Sequence, residues 1–149
     1  MKKRHLIWIG ICAAVCIAVT AFAWAAESPE TKTVRNLLEK RTCVMENVLF
    51  GKITYEEGKT QLKEIERDNL YTRDLQAMLD YSDTDLEKVE GMDIVYLKKK
   101  AELYDKAVFE GKIQWTISDG DSKDYETHVY QIGVSNKGGD YKLVFFELK

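Results

Sequence analysis

Proline and cysteine are scarce in these 149 residues, at one and three, and glycine stops at nine. So little proline and scattered glycine exclude a collagenous or Pro-rich fibrous chain. Only Cys43 lies beyond residue 26, so the C-terminal part has no internal disulfide and no Cys-x-x-Cys metal pair. Basic residues are also in deficit. After residue 26 there are 19 Lys and Arg against 25 Asp and Glu, a mildly acidic balance unsuited to nucleic acid, whose binding needs clustered cations that displace counterions. What the chain has is apolar residues, 45% of the total, enough for one folded domain with something in front of it.

Residues 1–5 carry Lys2, Lys3 and Arg4, and Leu6 to Ala26 is then an uncharged stretch of 21 residues. As a helix it would measure about 31 Å, close to the hydrocarbon thickness of a bilayer. Trp8 and Trp24 stand near its two ends, where indoles favour the headgroup boundary. The basic residues set the amino terminus in the cytoplasm. The expectation is therefore a transmembrane signal anchor over 6–26, with 27–149 held outside the plasma membrane of a bacterial cell. The alternative is a cleaved signal peptide, for which Ala21-Phe22-Ala23 and Ala23-Trp24-Ala25 are suitable sites; 21 residues exceed the usual h-region, which favours the anchor.

Residues 29–90 read as helical. Ser28-Pro29-Glu30 is a helix start, with a capping serine, proline where its missing N–H costs nothing, and an early acid. Val34, Leu37, Leu38, Met45, Val48 and Leu49 repeat every 3.6 residues up to about Phe50, and Gly51 is the stop. Thr54 and Glu57 form a capping box that opens a second helix at Tyr55. A turn at Asp68-Asn69 precedes a third helix from Thr72 to Tyr81, and Thr84 with Glu87 repeats the box for a turn or two up to Gly91. Cys43 is expected to be buried filler; an intermolecular disulfide is the alternative.

Residues 92–149 read as strands. Ile113, Trp115 and Ile117 alternate with polar residues, and His128, Tyr130, Ile132 and Val134 line one face of a second strand. Turn chemistry falls at 118–124 and 136–140, and Tyr141 to Leu148 is apolar on both faces, which predicts cover on both sides. Residues 92–106 suit helix or strand; strand is preferred because the later strands need a neighbour. Helices followed by strands define an α+β domain, with two to four helices laid over an antiparallel β-meander of three or four strands. This order, over residues 30 to 149, resembles the cone-shaped α+β fold of the steroid-isomerase and scytalone-dehydratase superfamily. It is also similar to the exported domains of some single-pass assembly components of type IV secretion systems. The resemblance implies a cone mouth that serves as ligand pocket, active site or partner surface.

Chemistry is thin. His128 is the one histidine after residue 26, and Asp119, Asp121, Asp124 or Glu126 could orient it as a base. No nucleophile elbow or zinc helix is present. Asp119-Gly120-Asp121 fails as a calcium loop because its fifth and twelfth positions are Lys123 and Tyr130. Lys98-Lys99-Lys100 reads as a solvated surface, with Glu102 and Asp105 close by. The expectation is a non-enzymatic domain without cofactor or metal that binds another protein, or a second copy of itself, outside the membrane. Trp115, Tyr130 and His128 are its candidate binding residues. The alternative is a ligand-binding or enzymatic cone lined by the same three, or a secreted factor after cleavage.

Overall fold

The computed structural model describes residues 27–81, 88–119 and 122–149. The apolar stretch 6–26, the Thr84–Glu87 box and the Gly120-Asp121 turn lie outside them. Among the described residues, no helix is long and apolar enough to cross a membrane.

Among the described residues three helices precede four strands: α1 (Pro29–Leu49), α2 (Tyr55–Ile65), α3 (Asp68–Asp80), β1 (Lys88–Leu103), β2 (Lys106–Asp119), β3 (Ser122–Lys137) and β4 (Asp140–Leu148). The sheet is an antiparallel meander in the order β1-β2-β3-β4, and the helices pack on one face. The first two helix starts are locally encoded. Ser28 Oγ accepts from the Thr31 N–H at 3.1 Å, and Thr54 and Glu57 close the reciprocal box, with Glu57 Oε2 accepting from the Thr54 N–H at 2.8 Å. Gly51 ends α1 at φ +67, in the left-handed region open to glycine.

The third helix departs from the expected start at Thr72. It opens at Asp68, itself at φ +58, with no side-chain cap, so the segment read as a turn is its first turn. A tertiary contact fixes it: the Arg67 N–H donates to the Leu143 carbonyl on β4 at 3.0 Å. Residues 92–103 are strand, as preferred, and Tyr104-Asp105 turn the chain into β2. β1 begins earlier still, at Lys88, so the last helical turn expected up to Gly91 gives way to strand at 88–90. The β2–β3 ladder runs without a slip from Lys106↔Ser135 to Asp119↔Ser122, which narrows the expected 118–124 turn to the residues between Asp119 and Ser122. β1 carries three register shifts against β2, each a local bend with added twist.

The inner face of the sheet meets the helices in a dense core. Phe109, Ile113, Ile132 and Leu143 from the strands and Val34, Leu38, Leu62, Leu70 and Met78 from the helices are all at most 1% exposed. Among the described residues no second layer covers the outer face of β4; instead the Phe145 ring lies over Gly133, where an added Cβ would sit 2.2 Å from ring carbons. Nor is the edge of β4 free along its length, since Leu143 accepts from Arg67 and Phe146 from Arg73 Nη2 at 2.8 Å. An edge so occupied is only partly open to pairing with another chain. Cys43 is exposed, contrary to the expected burial, because it lies on the flank of α1 beside Asn47 rather than on the stripe.

Helix α2 approaches α1 at Gly58, where a Cβ would stand 2.2 Å from Val48 Cγ2. Gly58→Ala gains up to about 1 kcal/mol of helix propensity but overpacks the seam, at about 1–3 kcal/mol. The expected result is net destabilisation in chemical denaturation followed by circular dichroism, with part of the loss recovered by Gly58→Ala combined with Val48→Ala. A single Gly58→Ala variant more stable than the native chain would contradict this packing.

Candidate functional site

Trp115, Tyr130 and His128 do come together, on the inner face of β2 and β3. The Trp115 Nε1–H donates to the Tyr130 hydroxyl at 2.9 Å, and the rings meet edge to face with centroids 6.2 Å apart. His128 presents its ring to Tyr130 at 6.3 Å. Its Nε2 lies 3.1 Å from Glu126 Oε2, one of the hairpin carboxylates considered as partners. Both side chains of that pair are open to solvent, the imidazole at 41% and the carboxylate at 56%. Trp115 and Tyr130 are half-buried, packed against the core.

The row continues inward to residues that the sequence reading did not single out. Tyr130 stacks on Phe146 of β4 with centroids 4.4 Å apart, and the Arg41 guanidinium of α1 lies 4.9 Å above that same ring. Arg41 in turn reaches two carboxylates. Its Nε donates to Asp74 Oδ2 at 2.6 Å, Nη2 lies 2.5 Å from the same oxygen, and Nε stands 2.9 Å from Glu66 Oε1. The side chains are 13% exposed for Arg41, 4% for Asp74 and 0% for Glu66. Helix periodicity puts them there. Asp74 falls four residues after Leu70 and four before Met78, and Arg41 between Leu37 and Val44, on the inward stripes of α3 and α1, while Glu66 is the extended residue that caps the end of α2.

Neither Glu66 oxygen receives a hydrogen bond of acceptable geometry when both carboxyls are charged. Burial, the adjacent Asp74 charge and a hydrogen bond shared with Asp74 raise the Glu66 pKa from the usual 4.5 to about 8, against the opposing pull of Arg41. A protonated Glu66 resolves both problems: it removes one of two neighbouring anions and supplies the O–H that Asp74 accepts. The Tyr130 phenol is likewise pushed up by burial. With Glu66 protonated, the cluster is one cation, one anion and one neutral acid, both acids buried and the guanidinium nearly so.

The clefts found lie elsewhere. The cleft between α1 and the start of β1, about 300 Å³, is lined by Glu39, Cys43, Glu46 and Met92 among others. Another, of about 400 Å³, lies between α1 and α2 and is lined by Leu37, Val44 and Ile65 among others. Two more flank α3. All four are open, and none is lined by Glu66, Trp115, Tyr130 or His128. Among the described residues no group of His, Cys, Asp and Glu is arranged to hold a metal ion.

Among the described residues, three helices on a four-stranded antiparallel meander define the class, an α+β domain. No family model and no curated protein matches the sequence. Among solved structures the chain is similar to the intermembrane-space region of the chloroplast protein ARC6, at TM-score 0.55 and 11% identity over 82% of this chain and 98% of that one. It is also similar to a protein from Exiguobacterium sibiricum described as a Ca/calmodulin-dependent kinase II association domain, at TM-score 0.52 and 14% identity over 83% and 94%. At such identities the likeness is one of fold alone.

The raised Glu66 pKa makes stability pH-dependent with a defined sign. The folded state keeps a proton that the unfolded chain releases above about 4.5, so stability falls as pH rises towards about 8. The slope is at most ~1.4 kcal/mol per pH unit. Glu66→Gln, which keeps a neutral donor, is expected to flatten this slope in denaturation measured across that range. Arg41→Met, which strands the Asp74 anion, is expected to cost about 3–5 kcal/mol. An unchanged slope in Glu66→Gln would show that the proton lies elsewhere.

Proposed function

We propose that this chain is a single-pass membrane protein whose residues 27–149 form a non-enzymatic, extracytoplasmic interaction module within a membrane-bound assembly. The observation that carries the reading is the filled interior. Where the resembling cone fold can hold a ligand, this one holds Leu38, Leu62, Phe109, Ile113 and the Arg41–Glu66–Asp74 cluster, and that leaves the surface as the working part. The uncharged 6–26 stretch behind three basic residues supports the anchor and its orientation, with a plasma-membrane location and a bacterial source. The structural neighbours agree in kind, one of them being described as an association domain.

The partner surface we assign is the half-buried aromatic row Trp115–Tyr130 with His128 at its exposed end. Half-buried Trp and Tyr offer large rigid contact area with a polar tip, the chemistry enriched at protein interfaces. The partner is another protein or a second copy of the chain. The Glu66 carboxyl has the shifted pKa that a catalytic cone would need, but no described cleft reaches it.

Chemical crosslinking in intact expressing cells tests this reading. The expected result is an uncut chain in the membrane fraction, joined to a discrete partner, with the adduct weakened several-fold in Trp115→Ala while the fold persists by circular dichroism. A chain cut near Ala23 or Ala25 and recovered from the medium, or one that forms no adduct, would overturn it.

A further inference from the structure

The start of α1 and two hairpin tips share one end of the domain. Helix α1 runs antiparallel to β1: Glu30 pairs with Lys99, Arg35 Nη1 donates to the Ile94 carbonyl at 3.1 Å, and Glu46 Oε1 accepts from the Val89 N–H at 3.0 Å. From Lys99 the strand continues to Leu103 and turns at Tyr104-Asp105, about 16 Å further on at the rise of an extended strand. The β3–β4 turn lies beside it, since the Asn136 N–H donates to the Asp105 carbonyl at 2.6 Å. The tether is short. Only Glu27 and Ser28 separate Ala26 from α1, a reach of roughly 7 Å.

The tip itself has unusual chemistry for a surface turn. Leu103 is 69% exposed and Tyr104 93%, the most exposed large apolar residue in the described chain. Tyr104 sits at φ +55, a conformation that hairpins normally give to glycine or asparagine. An aromatic kept in a strained, fully solvated position points to use rather than to stability. Charge is polarised the same way. The segments 98–106 and 136–142 hold six lysines against the carboxylates Glu102, Asp105 and Asp140, in a domain that is acidic as a whole. Lys98, Lys100, Lys106 and Lys137 are exposed. At the opposite end, the β2–β3 hairpin has Asp119, Asp124 and Glu126 against Lys123.

We propose that the Leu103-Tyr104 tip docks into the headgroup layer of the bilayer that residues 6–26 cross, with the surrounding lysines facing anionic phospholipid. This rests on the anchored reading above. A tip that projects further than the tether can extend meets the membrane surface. Tyrosine is at home at that depth, leucine gains from leaving water, and lysines reach phosphates while their stems lie along apolar surface. The domain then stands on two points, the span and the hairpin. Its acidic end faces away from the membrane.

The full chain, with Cys12, Cys16 and Cys43 changed to Ser, is reconstituted in phosphatidylcholine–phosphatidylglycerol vesicles that contain a headgroup nitroxide lipid. A fluorophore is attached at Glu102→Cys beside the tip or, in a separate protein, at Tyr125→Cys at the opposite end. The expected result is quenching at position 102 several-fold stronger than at 125, lost in Leu103→Ser and in Tyr104→Gly. The glycine variant relieves the strained φ, so its loss of quenching reports docking rather than misfolding. Quenching at 102 no stronger than at 125, in a chain that resists alkaline extraction, overturns the docking and leaves the anchor standing. Removal of the chain by alkali overturns the anchor and the docking with it. Equal quenching in pure phosphatidylcholine overturns the part assigned to the lysines.

Discussion

One guanidinium holds the helical layer to the sheet. Arg41 leaves α1, reaches Glu66 after the end of α2 and Asp74 in α3, and lies on the Phe146 ring of β4, so four elements meet at a single planar cation. Arginine suits the position because its charge persists when desolvated and its flat fork can bond carboxylates at its edge while stacking on an aromatic face. Burying such a group costs several kcal/mol per ion before pairing repays it. A proton retained on Glu66 lowers that cost by leaving one cation against one anion. Removal of either charged partner exposes the whole penalty, which makes the network a constraint on geometry more than a source of stability.

From that anchor the rest of the domain follows. Arg41 places Phe146, Phe146 places Tyr130 by stacking, and Tyr130 accepts the Trp115 indole, so the aromatic row on the inner face is positioned from the buried cluster outward. The same junction between α2 and α3 closes part of the β4 edge through the Arg67 N–H and the Arg73 guanidinium. On the other side of the sheet, β1 is guarded by the Lys98-Lys99-Lys100 run, a common means by which edge strands resist pairing with foreign chains. The aromatic row and the hairpin end are the surfaces to which the proposed contacts are assigned.

What could be read from the sequence was what local chemistry decides. Ser28, Pro29, Gly51 and the Thr54–Glu57 box mark helix ends through bonds made within a few residues, and they stand where expected. The start of α3 was misread because its determinant is the Leu143 carbonyl, distant in sequence. β1 was ambiguous because three register shifts interrupt its period-2 alternation. Cys43 shows that a residue type's general preference for burial yields to its angular position on a helix. The buried cluster had a signal in two of its members: Arg41 and Asp74 are charges at stripe positions of amphipathic helices, where an apolar residue is the ordinary choice, whereas Glu66 lies just past the end of α2. Trp115, Tyr130 and His128 could be named from strand alternation, but their link to that cluster needed the β3–β4 register that sets Ile132 opposite Phe146.

At the centre of the helix–sheet layer Glu66 is read as a neutral acid bonded to the Arg41–Asp74 pair. Infrared difference spectroscopy between the native chain and Glu66→Gln at neutral pH reads that acid directly. The expected spectrum has a protonated-carboxyl band, slow to shift on transfer to deuterated water, that disappears in the variant. A spectrum with only carboxylate bands, or a protonated band that exchanges at once, would mean that Glu66 is ionised or open to solvent and would contradict that reading.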